Sequence, residues 1–142
     1  MWYVEASEHH PDSNAMTDTT QTFCGQCHCG NIQFEADHEP ATLTECNCSL
    51  CHRYGVRWAY FKHRKVRITV RDRPTETYCW GDRMIRFHHC PTCGCVTHYT
   101  GVTDTPDPDE RVALNARLAD RHLTETIRIR HFDGADTWTF LD

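Results

Sequence analysis

Cys27-His28-Cys29-Gly30 and Cys90-Pro91-Thr92-Cys93-Gly94 each place two thiols on a tight turn. A glycine after the second thiol lets the backbone swing around an ion, and Pro91 fixes one dihedral of its turn. Brought together, two such half-sites make a tetrahedral four-thiolate zinc site with no open position, which holds structure rather than doing chemistry. The competing reading is two unrelated turns with idle thiols, and the Cys-Pro-x-Cys-Gly pattern favours the zinc knuckle. Cys46-Asn47-Cys48-Ser49-Leu50-Cys51 is different, because no further Cys follows its three at ligand spacing. Three protein ligands leave zinc one position for water or substrate, the arrangement of a catalytic site. Such an ion suits a soft thiolate from outside. The alternative is a second closed site completed by His52, Cys24, Cys79, Cys95 or a distant His.

Cys24, Cys79 and Cys95 are left over, and Cys95 reads as a small packed side chain rather than a spare ligand. His28, His88 and His89 adjoin expected ligands and read as surface groups or as hydrogen-bond partners of the ligands. His52 and His89 are candidates for a general base by proximity in sequence alone. From Arg53 to Arg73, eight Lys or Arg stand against one acid, Asp72. That run reads either as the solvated face of a strand pair or as a positive rim beside the three-thiol loop, drawing in a small anion. The interleaved Tyr54, Trp58, Tyr60 and Phe61 read as core and pocket wall.

Ten cysteines in 142 residues is the abnormal count. Met1 to His10 lack the basic start and apolar core of a secretory signal, and thiols one or two residues apart are poorly placed to bridge. The cysteines therefore imply metal in a reducing compartment, and the expected location is the cytoplasm. No apolar stretch approaches the roughly 20 residues of a membrane span. A chain 39% hydrophobic and 25% charged suits one domain. The formal net charge is −5, and two thiolate-ligated zincs would add about −3 more, which does not suggest a nucleic-acid binder.

The thiol turns need elements to carry them. Asn31–Glu35, Val66–Val70, Ile127–Arg130 and Thr137–Phe140 alternate polar and apolar residues, as half-buried strands do. Thr75–Trp80, Met84–His88 and Val96–Thr100 fit strands by β-branched and aromatic content. Only Ser49–Tyr54 suggests a helical turn, with Ser49 as a cap and Gly55 as a stop. Asp104–Glu110, with Pro106 and Pro108 among acids, reads as a surface loop. Residues 1–22 are polar and without periodicity, a tail in which Ser13-Asn14-Ala15-Met16 reads as a cloning-derived junction before a native initiator Met16. Residues 23–142 read as one mainly β domain with little helix.

Three segments resemble the glutathione-dependent formaldehyde-activating enzyme family, whose relatives include the C-terminal domain of centromere protein V. They are Gly25-Gln26-Cys27-His28-Cys29-Gly30, the Cys46–Cys51 run with Arg53 and Trp58 following, and Phe87-His88-His89-Cys90-Pro91-Thr92-Cys93-Gly94. Asn115-Ala116-Arg117 and Arg130-His131-Phe132-Asp133-Gly134 are also similar to the family's ending. The resemblance implies a β-tent fold of short antiparallel sheets around a structural zinc held by Cys27, Cys29, Cys90 and Cys93. It implies a catalytic zinc on Cys46, Cys48 and Cys51, hence two ions per chain. The implied activity is that of a carbon–sulfur lyase or synthase joining glutathione, or a similar thiol, to formaldehyde or another small aldehyde. Arg53 is expected to orient a carboxylate of the thiol. A zinc scaffold binding a protein or nucleic-acid partner is the competing expectation.

Overall fold

A computed structural model describes residues 21–142, so the expected tail lies, but for its last two residues, outside the described part. The described chain is mainly β, with ten strands in two sheets and two short helices. The smaller sheet has the order β1 (Phe23–Gln26), β2 (Ile32–Ala36), β5 (Val66–Val70). β2 buries Ile32, Phe34 and Ala36 and exposes Gln33 and Glu35, the two-residue alternation of a strand with one wet face.

The larger sheet follows from β3 (Thr42–Cys46), β4 (Trp58–Lys62), β6 (Glu76–Tyr78), β7 (Ile85–His89), β8 (Val96–Gly101), β9 (Arg111–Asn115) and β10 (Arg128–Phe132). Its order is β10-β3-β4-β9-β8-β7-β6. One face packs on the smaller sheet through Leu43, Ala59, Phe61, Val112 and Leu114 against Phe23, Phe34 and Ala36. The other face carries Trp58, Phe87 and Ala113 with Tyr54, Tyr60 and Tyr99 packed beside them. β4 serves both faces, Trp58 and Tyr60 one way and Ala59 and Phe61 the other. Burying a side chain such as Phe23 or Leu114 contributes roughly 1.5–3 kcal/mol, so these two layers carry most of the apolar stabilisation.

Most expected strands are present, and the differences have physical causes. β4 and its neighbours β3 and β9 gave no alternation because they are buried on both sides. Thr137–Phe140 is a turn instead of a strand. The Trp138 N–H donates to the Asp133 carbonyl at 2.8 Å, with φ 58° at Trp138, and the Thr137 and Thr139 hydroxyls bond each other. The sheets are antiparallel except for β10 beside β3, which are parallel. The connection from β9 through α2 (Arg121–Thr124), a helical turn the sequence did not signal, returns the chain to that edge.

β7 and β8 bring two histidines face to face, His88 and His98, with ring centroids 4.1 Å apart. The Thr97 hydroxyl lies 2.8 Å from His98 Nδ1. Burial, and then the neighbouring His88, hold the His98 imidazole well down, at about 3. Unfolding restores a pKa near 6.5, so the unfolded chain binds more protons below that pH. The stability from keeping His98 neutral is therefore complete above about pH 6.5 and lost toward pH 3, by up to about 1.4 kcal/mol per pH unit. Thermal melts of His98→Gln in zinc-replete buffer are expected to fall less steeply between pH 6.5 and 5 than the parent's. Parallel curves would refute this.

Candidate metal centres

The turn after β1 and the turn after β7 bring Cys27, Cys29, Cys90 and Cys93 together, all four sulfurs lying within 4.8 Å of one another. Cys27 Sγ is 3.7 Å from Cys29 Sγ, which is 3.6 Å from Cys90 Sγ. Tetrahedral zinc with bonds near 2.3 Å requires sulfurs about 3.8 Å apart, so the donor set fits that ion. Each turn is closed by the N–H of its glycine. Gly30 N–H donates to the Cys27 carbonyl at 3.0 Å and Gly94 N–H to the Cys90 carbonyl at 2.9 Å. Both glycines have φ near 80°, where a Cβ is disfavoured. Buried Asn31 donates to Cys90 Sγ at 3.5 Å and accepts from the Asp72 and Arg73 N–H groups, tying the cluster to the end of β5. Burial pushes the Cys90 thiol up, but N–H groups from Cys93, Asn31 and Thr92 outweigh it and bring it down to about 6.

Cys46 ends β3, Cys48 caps α1 (Ser49–Tyr54), and Cys51 lies in its first turn. The cap is Cys48 rather than Ser49, its sulfur accepting the Cys51 N–H at 3.4 Å, while Gly55 stops the helix with φ 65° as expected. The three sulfurs lie within 4.8 Å of one another, and among the described residues no fourth His, Cys, Asp or Glu joins the group. Every sulfur accepts an N–H. Cys48 N donates to Cys46 Sγ at 3.5 Å, Cys51 N to Cys48 Sγ at 3.4 Å, and the Trp58 indole to Cys51 Sγ at 3.3 Å. The Cys46 thiol is brought down to about 5 by the bond from Cys51, against its burial, with the Cys48 and Gly134 N–H groups adding to the effect. Such donors stabilise thiolate and fix ligand orientation. This set also fits a metal ion.

Trp58 links the trio to an aromatic wall. Its ring meets Tyr99 edge-on at 4.9 Å and Phe87 at 6.1 Å, and Phe87 packs on Tyr54 at 5.9 Å. Of the four aromatics expected as core and pocket wall, Trp58, Tyr54 and Tyr60 lie on this face, with Phe87 and Tyr99 added by β7 and β8, while Phe61 belongs to the core between the sheets.

The remaining candidates join neither sulfur group. The Arg53 guanidinium folds back on its own helix, donating to the Ser49 carbonyl at 2.8 Å. His89 pairs with Glu76 at 3.4 Å, and His88 is enclosed by Thr75 and Thr100. His52 is exposed. Five of the eight basic residues from Arg53 to Arg73 are engaged in ion pairs. Arg57 pairs with Glu45, Lys62 and Arg64 with Asp109, Lys65 with Asp37, and Arg67 with Glu35. Cys95 packs beside the four-sulfur cluster, outside its ligand group. Cys24 is exposed on β1 and Cys79 half-buried after β6.

Sequence reasoning gave no role to Asn47, Asp133 or Gly134. Asn47 Nδ2 donates to Asp133 Oδ1 at 2.9 Å, and the Ala135 N–H donates to Asn47 Oδ1 at 3.0 Å. The signal available was an Asn between two cysteines, a residue type that bonds backbone in turns.

The family model described as glutathione-dependent formaldehyde-activating enzyme matches residues 22–129. A crystal structure of a Rhodobacter sphaeroides protein is similar at 25% identity and a TM-score of 0.59, covering 75% of this chain and 98% of that one. No curated protein matches. Among the described residues no helix is long and apolar enough to cross a membrane.

Proposed function

We propose, from the premise that the chain belongs to the glutathione-dependent formaldehyde-activating enzyme family, that it is a carbon–sulfur lyase or synthase working at the Cys46, Cys48 and Cys51 trio. The observation that carries this reading is the three-sulfur group with an N–H on each sulfur and no fourth side-chain ligand among the described residues. Cys27, Cys29, Cys90 and Cys93 would hold a structural zinc, and the trio a second one with a free position. A zinc held by Cys46, Cys48 and Cys51 would supply Lewis acidity, favouring the thiolate form of a substrate thiol near neutral pH.

The protein's own residues then do three things. The Cys48, Cys51 and Trp58 N–H groups draw charge from the ligand sulfurs and hold them in place. Trp58, Phe87 and Tyr99 pack an apolar floor beside the trio, lowering the local dielectric around the reacting sulfur. With three side-chain ligands, a metal held by the trio would keep one coordination position for a thiol sulfur. In the synthetic direction the thiolate sulfur forms a bond to the aldehyde carbon, the C=O π pair moves to oxygen, and that oxygen takes up the proton the thiol released. The reverse breaks the same C–S bond and returns thiol and aldehyde. His89 is engaged by Glu76 and one Arg53 N–H by the Ser49 carbonyl, while His52 is exposed, so the proton passes through solvent or His52.

Cobalt substitution tests the open position. Millimolar glutathione is expected to change the sulfur-to-cobalt absorption of the parent protein, and formaldehyde to change it again. An unaltered spectrum with every thiol tried would favour a non-catalytic zinc scaffold.

A further inference from the structure

The turn that follows β10, residues 132–139, lies beyond the segment matched by the family model and folds directly over the trio loop. Asp133 is buried, yet its carboxylate has no cationic partner among the described residues. Instead Oδ1 accepts from Asn47 Nδ2 at 2.9 Å, and Oδ2 accepts from the Thr137 N–H at 3.2 Å and the Thr137 hydroxyl at 2.9 Å. The Asn47 backbone N–H donates to the Phe132 carbonyl at 3.2 Å, and Asn47 Oδ1 takes the Ala135 N–H. Asn47, set between two trio cysteines, is thus gripped on three sides by one short turn. The next residue of that turn makes the approach closer still. A Cβ on Gly134 would lie 2.6 Å from Cys46 Sγ and 3.2 Å from Cys48 Cβ, so only a glycine lets the backbone rest on the sulfurs.

A buried carboxylate is costly unless its hydrogen bonds are satisfied, and here they are spent on a turn and on one amide. Fold stability alone does not require a charge at this place, since an apolar turn could pack there. What the charge does is fix the side chain that separates Cys46 from Cys48. We infer that Asp133, acting through Asn47, is the positioning residue of the trio: the turn 132–139 is a clip that presets the spacing of the three sulfurs before any ion arrives. The inference rests on the proposal that the trio holds a metal. It gives the end of the chain a part in the site that spacing of cysteines cannot reveal.

The hydrogen-bond pattern supplies its own control. Asn47→Asp alone sets two carboxylates against each other. Asn47→Asp combined with Asp133→Asn restores every bond with the roles reversed. The amide introduced at position 133 then donates to the carboxylate introduced at position 47, while its carbonyl accepts from Thr137. Zinc affinity is read by chelator competition on the full chain, with the tighter ion as internal reference and circular dichroism as the check of fold. Asp133→Ala and Asn47→Asp are each expected to loosen the weaker ion about 10–100-fold while leaving the tighter ion unchanged. The reciprocal double variant is expected to return within about threefold of the parent, which a merely structural role for Asp133 would not produce. Single variants that hold both ions as the parent does overturn the inference, and so does a double variant no tighter than Asn47→Asp. A parent that binds one ion per chain overturns the two-metal reading itself.

Discussion

Cys93→Ser is expected to yield insoluble or unfolded protein. The four-sulfur cluster joins the loop between β1 and β2 to the loop between β7 and β8, and so fastens the smaller sheet to the far half of the larger one. A structural zinc in such a site can contribute about 10–16 kcal/mol of folding free energy, against a typical net stability of about 5–15 kcal/mol. A serine hydroxyl is a poor replacement for a thiolate. With the ion lost, the buried Cys27 and Cys90 sulfurs would be left to repel or oxidise. The measurement is soluble yield and far-ultraviolet circular dichroism of the purified variant. A soluble Cys93→Ser protein with a native-like spectrum would remove the structural role.

Cys48→Ser is expected to have the opposite profile, with the fold kept and activity lost. Cys48 is the N-cap of α1, and serine is among the best residues for that position, so its hydroxyl can accept the Cys51 N–H in place of sulfur. The helix should therefore survive while the trio drops to two thiols. Metal content is expected to fall from two ions per chain to one. Exchange of hydroxymethyl groups between formaldehyde and glutathione, followed by nuclear magnetic resonance, is expected to drop roughly a thousandfold or more, since metal catalysis supplies several kcal/mol of the barrier reduction. Full exchange activity in a protein lacking the second ion would refute the trio as the reacting site.

The contrast between these variants shows what the sequence could say. Both thiol groups were legible because each gathers its thiols from short local spacings, and the glycines after Cys29 and Cys93 mark the turns. β2 and β5 were legible because each presents one wet face. β3, β4 and β9 were not, since strands packed on both faces lose their alternation. Thr137–Phe140 misled because its threonines alternate around Asp133 rather than along a sheet. The clip was hidden for a different reason: Asn47 and Asp133 are 86 residues apart, and only the parallel pairing of β10 with β3 brings them together. Arg53 was placed near the trio by sequence distance, and its guanidinium bonds the Ser49 carbonyl on the trio's own helical turn.

The four-sulfur cluster also sets an order of events during synthesis. Cys29 and Cys90, whose sulfurs are neighbours, are separated by 61 positions along the chain. At about 5–20 residues per second, the first two thiols leave the ribosome roughly 3–12 seconds before their partners. For that interval β1 and β2 carry an unfinished half-site. An ion that binds early meets two ligands, holds weakly, and can exchange for whatever metal the cell offers. For an ion held by this cluster, the choice of metal would therefore be made late, when the second knuckle arrives and all four sulfurs compete together. The same delay makes ion capture a closure of a long loop, whose entropic cost falls on the final step. Nascent chains short of zinc would accumulate with the smaller sheet unanchored and its edge strands open to neighbours.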